Sequence, residues 1–204
     1  MGASVAPENS FLQLPPHIII YIVKLCYIAR MFSKLKLVKN KPSQYNEKEM
    51  LLKNALDVLD TLLSNKLSHL DIKNYHYDAS IAVEELGIDE ELVMQLLDDY
   101  VAQTIKSILQ FEEHMLILKG SRSKDQSMDY TPFRELAHKN LGVARNLRIK
   151  DAEILLYELM KKDDLEYLIT CLEALKACSI RLSPECAYNT LKLIEVKNSL
   201  LKNY

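Results

Sequence analysis

Residues 90–118 read EELVMQLLDDYVAQTIKSILQFEEHMLIL, and this stretch decides the fold class. Apolar or small side chains recur in it every three or four residues, which is the spacing of one face of an α-helix. The residues of this stripe are Val93, Leu97, Tyr100, Val101, Thr104, Ile108, Phe111 and Met115. A stripe sustained over so many turns is typical of a helix in a bundle. Asp89 precedes it as a candidate N-cap, because its carboxylate can accept a hydrogen bond from the first turn.

Helical spacing continues along the rest of the chain. The predicted helices cover residues 17–38, 44–63, 79–86, 90–118, 131–147, 151–160, 165–180 and 184–202, with a polar connection over 64–77 and a loop over 119–129. Asp163 is predicted to begin the helix over 165–180. Gly87 follows the short third helix, and Pro132 and Pro184 lie where the first turn of a helix tolerates proline. The chain contains only four glycines and six prolines, and no stretch alternates in the manner of a β-strand. The sequence therefore predicts an all-α protein.

The bulk composition narrows the classes of function. Hydrophobic residues make up 49% and charged residues 26% of the 204 residues, which is typical of a globular protein. A net charge of -2 gives no general attraction for nucleic acid. The four cysteines are Cys26, Cys171, Cys178 and Cys186, and three of them lie in apolar helical stretches and are interpreted as small core residues. Because they form no CxxC pair and the chain has no nucleotide motif, we predict no metal site, no cofactor and a reducing cytoplasmic environment.

The first 70 residues are predicted to form an extension of the main domain. The helices over 17–38 and 44–63 are separated by Pro42 and Ser43, which favours an antiparallel hairpin. The apolar run within the first of them is interrupted by Lys24 and Arg30 and is short for a membrane span, so a buried helix is the better interpretation. A peripheral membrane role is the alternative. The hairpin is also a possible site of homodimerisation.

Residues 133–152, FRELAHKNLGVARNLRIKDA, carry the candidate chemistry. The face that we predict to be buried consists of Leu136, Val143 and Leu147 with Ala144 beside them, and Asn140 falls in it. On helical geometry His138 lies about 160° from Leu136 and Val143, so we predict that it points into solvent. Gly142 lies one turn further along. A glycine inside a helix costs about 1 kcal/mol relative to alanine, and an open approach to the imidazole gives a reason for it here.

This segment resembles the motif of the histidine phosphotransfer (HPt) family. In that motif an alanine precedes the phosphorylatable histidine, a lysine follows three residues later, and a glycine comes next. The matching residues here are Ala137, His138, Gly142, Ala144, Asn146 and Leu147. The preceding short and long helices are also similar to HPt domains, and the resemblance covers about Lys73 to Ile180. It implies a four-helix up-down bundle of the HPt type with an extra C-terminal helix over residues 71–204, beside the N-terminal hairpin extension over 1–70.

The resemblance implies a phosphocarrier in a two-component phosphorelay rather than an enzyme. His138 would accept and donate a phosphoryl group, and the partners would be a response-regulator receiver domain and/or a histidine kinase in the cytoplasm. It implies no nucleic-acid partner and no membrane partner. Neutral imidazole would attack an aspartyl phosphate, while the partner supplies the metal and most of the charge stabilisation.

One part of the motif departs from the family pattern. Leu141 occupies the position of the family's lysine, and Asn140 occupies the apolar position before it. In the family that lysine helps to bind the phosphoryl oxygens through charge-assisted contacts. Lys139 and Arg145 are the cations that lie nearest along the predicted helix. We therefore predict Lys139, Gly142 and Arg145 as binding residues around His138, and the sequence leaves open which cation replaces the lysine.

Charge is distributed unevenly along the chain. Residues 119–150 contain eight lysines and arginines against three acids, whereas residues 84–113 contain nine acids against Lys106 alone. A basic region around His138 would attract an aspartyl-phosphate pocket. Such runs are also ordinary on solvated helix faces. Two other interpretations stay open: a degenerate HPt-like module that binds a signalling protein without carrying phosphate, and an unrelated helical scaffold.

Overall fold

The computed structural model describes residues 44–123 and 127–201, and within these ranges every regular element is helical. The helices are α1 (Gln44–Ser64), a 3-10 turn (Ser68–Leu70), α2 (Ala79–Leu86), α3 (Glu90–Ser123), α4 (Thr131–Asn146), α5 (Lys150–Lys161), α6 (Leu165–Leu182) and α7 (Pro184–Leu201). The prediction of an all-α protein is confirmed. The predicted helix over residues 17–38, and with it the N-terminal hairpin, lies outside the described residues.

Short-range signals position the helix ends. Asp89 caps α3, since its Oδ1 accepts a hydrogen bond from the Leu92 amide at 2.8 Å. Gly87 follows α2 with φ of 65°, a left-handed conformation that glycine adopts without steric cost. The cap of α6 is Asp164, which accepts from the amides of Glu166 and Tyr167, rather than the predicted Asp163. These caps satisfy amide groups that have no partner within the helix.

α3 is the longest helix and extends beyond its predicted end at Leu118. Every residue of the predicted stripe is buried, which confirms the helical spacing. The helix continues through Gly120 to Ser123, so the loop predicted from Lys119 begins too early. A single glycine costs about 1 kcal/mol in a helix, and the buried side chains of Met115 and Leu118 anchor the turns before it. That cost is too small to end the helix.

α6 forms the centre of the described bundle. It contacts α1, α3, α5 and α7. Its buried residues are Leu165, Leu168, Thr170, Cys171, Leu172, Ala174, Leu175, Ala177, Cys178, Ser179 and Ile180. They point in every direction around the helix axis, because neighbouring helices cover all sides. The interpretation of Cys171 and Cys178 as small core residues is confirmed.

α1 shares this core with the later helices. Its buried side chains are Ala55, Leu59, Leu62 and Leu63, and they belong to the same cluster as those of α6. Polar contacts to α7 hold its first turns: the Tyr188 hydroxyl donates to Glu47 at 2.6 Å, and Lys48 pairs with Glu185 at 2.6 Å. The domain boundary at residue 70 stays a prediction.

The connection between α1 and α2 is more apolar than its sequence indicated. Leu67 and Ile72 lie in a stretch that we predicted to be a polar connection, and both side chains are fully buried in the core cluster. Farther along, the Tyr75 hydroxyl donates to the Arg148 carbonyl and accepts from the Lys150 amide. The connection is thereby attached to the turn between α4 and α5.

A buried ion pair joins α5 to α6. The Asp151 carboxylate is almost entirely buried and accepts from the Arg181 guanidinium at 2.7 Å, while its other oxygen accepts from the Ala152 amide. Removing a carboxylate from water is expensive unless it gains such partners. This pair therefore fixes the first turn of α5 against the last turn of α6.

Candidate functional site

α4 presents all four predicted site residues to solvent. His138, Lys139, Gly142 and Arg145 are exposed. The opposite side of the helix is buried and consists of Phe133, Ala137, Asn140, Leu141 and Ala144. The prediction that His138 points outward, on the middle turns of a helix, is therefore confirmed.

The buried face of α4 differs from the predicted one. Val143, predicted to be buried, is 43% exposed, and Leu136 is only partly buried. Leu141 is instead 2% exposed. Asn140, Ala144 and Leu147 are buried as predicted. On helical geometry the buried face is turned by roughly 60° from the predicted stripe, because α3 and α5 flank α4 on two sides and their placement, not the leucine and valine spacing alone, sets which side is covered.

Asn140 is a polar residue inside this buried face. Its side-chain amide donates to the Leu136 carbonyl at 2.8 Å, and its Oδ1 accepts from the Ser107 hydroxyl at 3.2 Å. Ser107 lies on α3 and in turn accepts from Gln103. Because buried amides need such partners, Asn140 fixes the register of α4 against α3 at the level of His138.

Two ion pairs flank His138 on its α5 side. Arg134 pairs with Asp163 at 2.5 Å, and Arg145 pairs with Glu153 at 3.2 Å. Lys150 also approaches Glu153 at 3.3 Å. Both arginines beside the histidine are thus neutralised by acids of α5 or of the loop that follows it. At these positions the positive charge that was predicted from the sequence is therefore balanced by carboxylates of other segments.

The same pairs bracket one part of α5. α4 and α5 are neighbours joined by a short turn, and the two pairs lie on either side of residues 157–161 of α5. Tyr157 is exposed, and the Lys161 ammonium lies 4.4 Å from the centroid of its ring. These two residues follow the end of the motif, and only their i, i+4 spacing links them, so the sequence did not mark them as candidates.

The residue at the lysine position of the HPt motif that this segment resembles lies in the core. Leu141 is buried against the bundle, so its side chain does not reach the solvent side of α4 where His138 lies. Arg145 is held by Glu153. Within the described residues Lys139 on α4 and Lys161 on α5 make no ion pair.

Gly142 leaves an open approach beside His138. A Cβ atom placed on Gly142 would meet no other atom within 4 Å. The glycine is therefore not required by close packing, and the sequence interpretation of a gap next to the imidazole agrees with the structure.

Among residues 44–123 and 127–201 the other reactive side chains do not form a second centre. Burial raises the pKa of the Cys171 thiol to about 12 and raises that of Cys178 well above its usual range, so neither is poised as a thiolate. His69 contacts the Tyr167 hydroxyl, which donates to Glu158. In the described ranges no group of three or more histidine, cysteine or acidic side chains is placed to hold a metal ion.

Comparisons with known proteins give no relative. No protein family, no curated protein and no solved structure matches the chain. Among the helices over residues 44–123 and 127–201, none is long and apolar enough to cross a membrane.

Proposed function

We propose that this chain is a histidine phosphotransfer protein that carries a phosphoryl group on His138. Its partners are a response-regulator receiver domain and/or a histidine kinase, and the bundle around α6 is the HPt-like domain. One observation carries the proposal: His138 is exposed on the middle turns of α4 with the open space at Gly142 one turn away. An imidazole in this setting is accessible to another protein's active site.

The proposed reaction requires only the imidazole of His138 from the phosphocarrier. A ring nitrogen of neutral His138 attacks the phosphorus of an aspartyl phosphate on the partner. The P–N bond forms as the P–O bond to the aspartate breaks, the aspartate leaves as a carboxylate, and the imidazolium proton passes to water. The partner supplies the divalent metal and most of the charge stabilisation.

The charges around His138 suit reversible transfer. Arg134 and Arg145 are already neutralised, so they do not bind the phosphoryl oxygens as strongly as free guanidinium groups would. Lys139 and Lys161 remain as flexible point charges on either side. We expect them to attract the incoming phosphoryl group without holding it.

A second function is favoured by a different observation. Leu141 is buried at the position of the family's lysine. A bundle that lacks this cation is suited to bind a receiver domain without accepting phosphate. The two functions share a docking surface and differ in whether a P–N bond forms.

Phosphoryl transfer separates the two functions. The full chain is incubated with a receiver domain labelled with ³²P on its aspartate, beside His138→Gln and a matched control, His114→Gln, which alters a histidine on α3. We expect acid-labile label on the wild type and on His114→Gln, and none on His138→Gln.

Binding is measured in parallel by isothermal titration with the unlabelled receiver domain. Binding without label on the wild type would support the second function and exclude the carrier. Label that persists on His138→Gln would place the chemistry elsewhere. If neither label nor binding is found with a panel of receiver domains, both functions fail and a helical scaffold remains.

A further inference from the structure

A second surface lies where α2 meets the first turns of α3. α2 packs on α3 through the buried Ala82, and the outer sides of both helices face solvent. We call this the acidic–apolar face and define it by Leu92, Leu96, Glu91 and Asp99 on α3. All four side chains are exposed.

The apolar part of the face is unusual for a solvated surface. Leu92 is 40% exposed and Leu96 is 38% exposed. Leu92 and Leu96 are four residues apart and therefore adjacent along α3. Single exposed leucines are ordinary, but a group of them on neighbouring turns marks a surface that another molecule covers.

The charge of the face is entirely negative. No lysine or arginine occurs between Lys73 and Lys106 in the sequence. Among the described residues, Arg148 reaches this region and pairs with Glu85. Within the described part of the chain, Glu91 and Asp99 make no ion pair, so their charges are available to a partner.

We propose that the acidic–apolar face binds a basic amphipathic helix of a partner protein. Leucines on adjacent turns accept the apolar side of a helix in the manner of a helix-in-groove interface. The surrounding carboxylates pair with lysines or arginines on its edges and repel acidic helices and anionic lipid. The face is separate from His138, and the proposal does not depend on phosphoryl transfer.

The probe for this proposal is a fluorescein-labelled 18-residue peptide of leucine and lysine in amphipathic helical order. Two control peptides are used: one with glutamate in place of lysine, and one with the leucine–lysine order scrambled. Fluorescence anisotropy with the full chain gives the dissociation constant. We expect only the amphipathic basic peptide to bind, and we expect added salt to weaken it because surface charges are screened.

Paired variants locate the binding site. Leu92→Gln combined with Leu96→Gln removes apolar contact, and the matched control replaces the exposed Leu193 and Leu200 of α7 with glutamine. We expect the first pair to weaken binding about tenfold, the effect of about 1.4 kcal/mol of lost apolar contact, and the control pair to leave it unchanged. Likewise Glu91→Gln with Asp99→Asn should weaken binding, whereas Glu135→Gln with Glu166→Gln should not.

Three results would overturn the proposal. The scrambled or acidic peptide binding as tightly as the probe would show that no amphipathic basic helix is recognised. Equal loss in the face variants and their controls would place the site elsewhere. If sedimentation shows a dimer that the Leu92→Gln and Leu96→Gln pair dissociates, a second copy of the chain is the occupant. Circular dichroism of each variant confirms that the helices are retained.

Discussion

α6 and α7 follow each other in the chain, have 18 residues each, and differ sharply in burial. α6 has eleven buried residues and contacts four other helices. α7 has three buried residues, Ala187, Tyr188 and Thr190, and its second half exposes Leu193, Val196, Leu200 and Leu201. Apolar content alone therefore does not determine burial. Burial depends on the number of helices around each position, because a side chain leaves water only where a neighbour covers it.

The largest expected effect contrasts one leucine of each helix. Leu175 in α6 is fully buried, whereas Leu193 in α7 is 71% exposed. Leu175→Ala should lower the free energy of unfolding by about 3 kcal/mol, through lost burial and the cavity that remains. Leu193→Ala should change it by less than about 0.5 kcal/mol. Urea denaturation of both variants measures the two values, and similar losses would break the comparison.

The next effect concerns the ion pair that holds the end of α6. Asp151→Asn leaves Arg181 partly buried without its counter-charge, and we expect a loss of about 2 kcal/mol, below the cost for fully buried pairs because Arg181 is partly exposed. Glu153→Gln on the same helix is the control, since its pairs with Arg145 and Lys150 are more exposed and should contribute less than about 1 kcal/mol. A larger loss for Glu153→Gln would contradict the ranking by burial.

α4 lies between the two extremes, with one side buried and the other in solvent. Gly142→Ala should raise the free energy of unfolding by about 0.5–1 kcal/mol, because alanine favours the helix and its methyl group meets no atom within 4 Å. The same methyl group narrows the approach to His138. Under the proposed function the transfer rate should therefore fall while thermal stability rises. Destabilisation would show that the glycine serves internal packing instead.

The smallest expected effect concerns the hydrogen bond that Tyr188, in the buried half of α7, donates to Glu47. The hydrogen bond from Tyr188 lowers the pKa of Glu47 below its usual 4.5, and the contact with Lys192 lowers it by a smaller amount. A carboxyl with a lowered pKa in the folded state stabilises the fold above about pH 4.5 and ceases to do so as the pH falls through the folded value. Tyr188→Phe should therefore cost less than about 1 kcal/mol near pH 7 and less still near pH 3. Denaturation at both pH values tests this, and an equal loss at both would assign the effect to packing.

Much of the fold follows from local signals in the sequence. Asp89, Gly87 and Pro184 mark helix ends by caps and dihedral preferences that need no distant contact, and the long stripe of α3 is buried as predicted. The failures have a common origin. Val143 is exposed, while Leu67 and Ile72 are buried, because burial depends on which elements surround a residue. Burial is thus set by tertiary contacts, and the residue pattern of a single helix does not contain them.

The candidate site was predictable to the same extent. The exposure of His138 follows from helical geometry, and the space beside Gly142 agrees with it. The pairing of Arg145 with Glu153 could not be inferred, since it depends on the register between α4 and α5. The same register places Tyr157 and Lys161 between the two ion pairs, although no motif includes them.

The unbroken length of α3 sets the spacing of the two proposed surfaces. Leu92 belongs to the acidic–apolar face, and Ser107 bonds to Asn140 at the level of His138. The two residues are 15 positions apart, which is about 22 Å along the helix axis. His138 lies on the outer side of α4, so the linker of a partner must cover this length and the width of α4 as well. A partner whose receiver domain and basic helix are joined by such a linker would engage both surfaces at once, and its second contact would form at millimolar effective concentration. The length of α3 would then determine which partners bind at both surfaces, according to the length of their linkers.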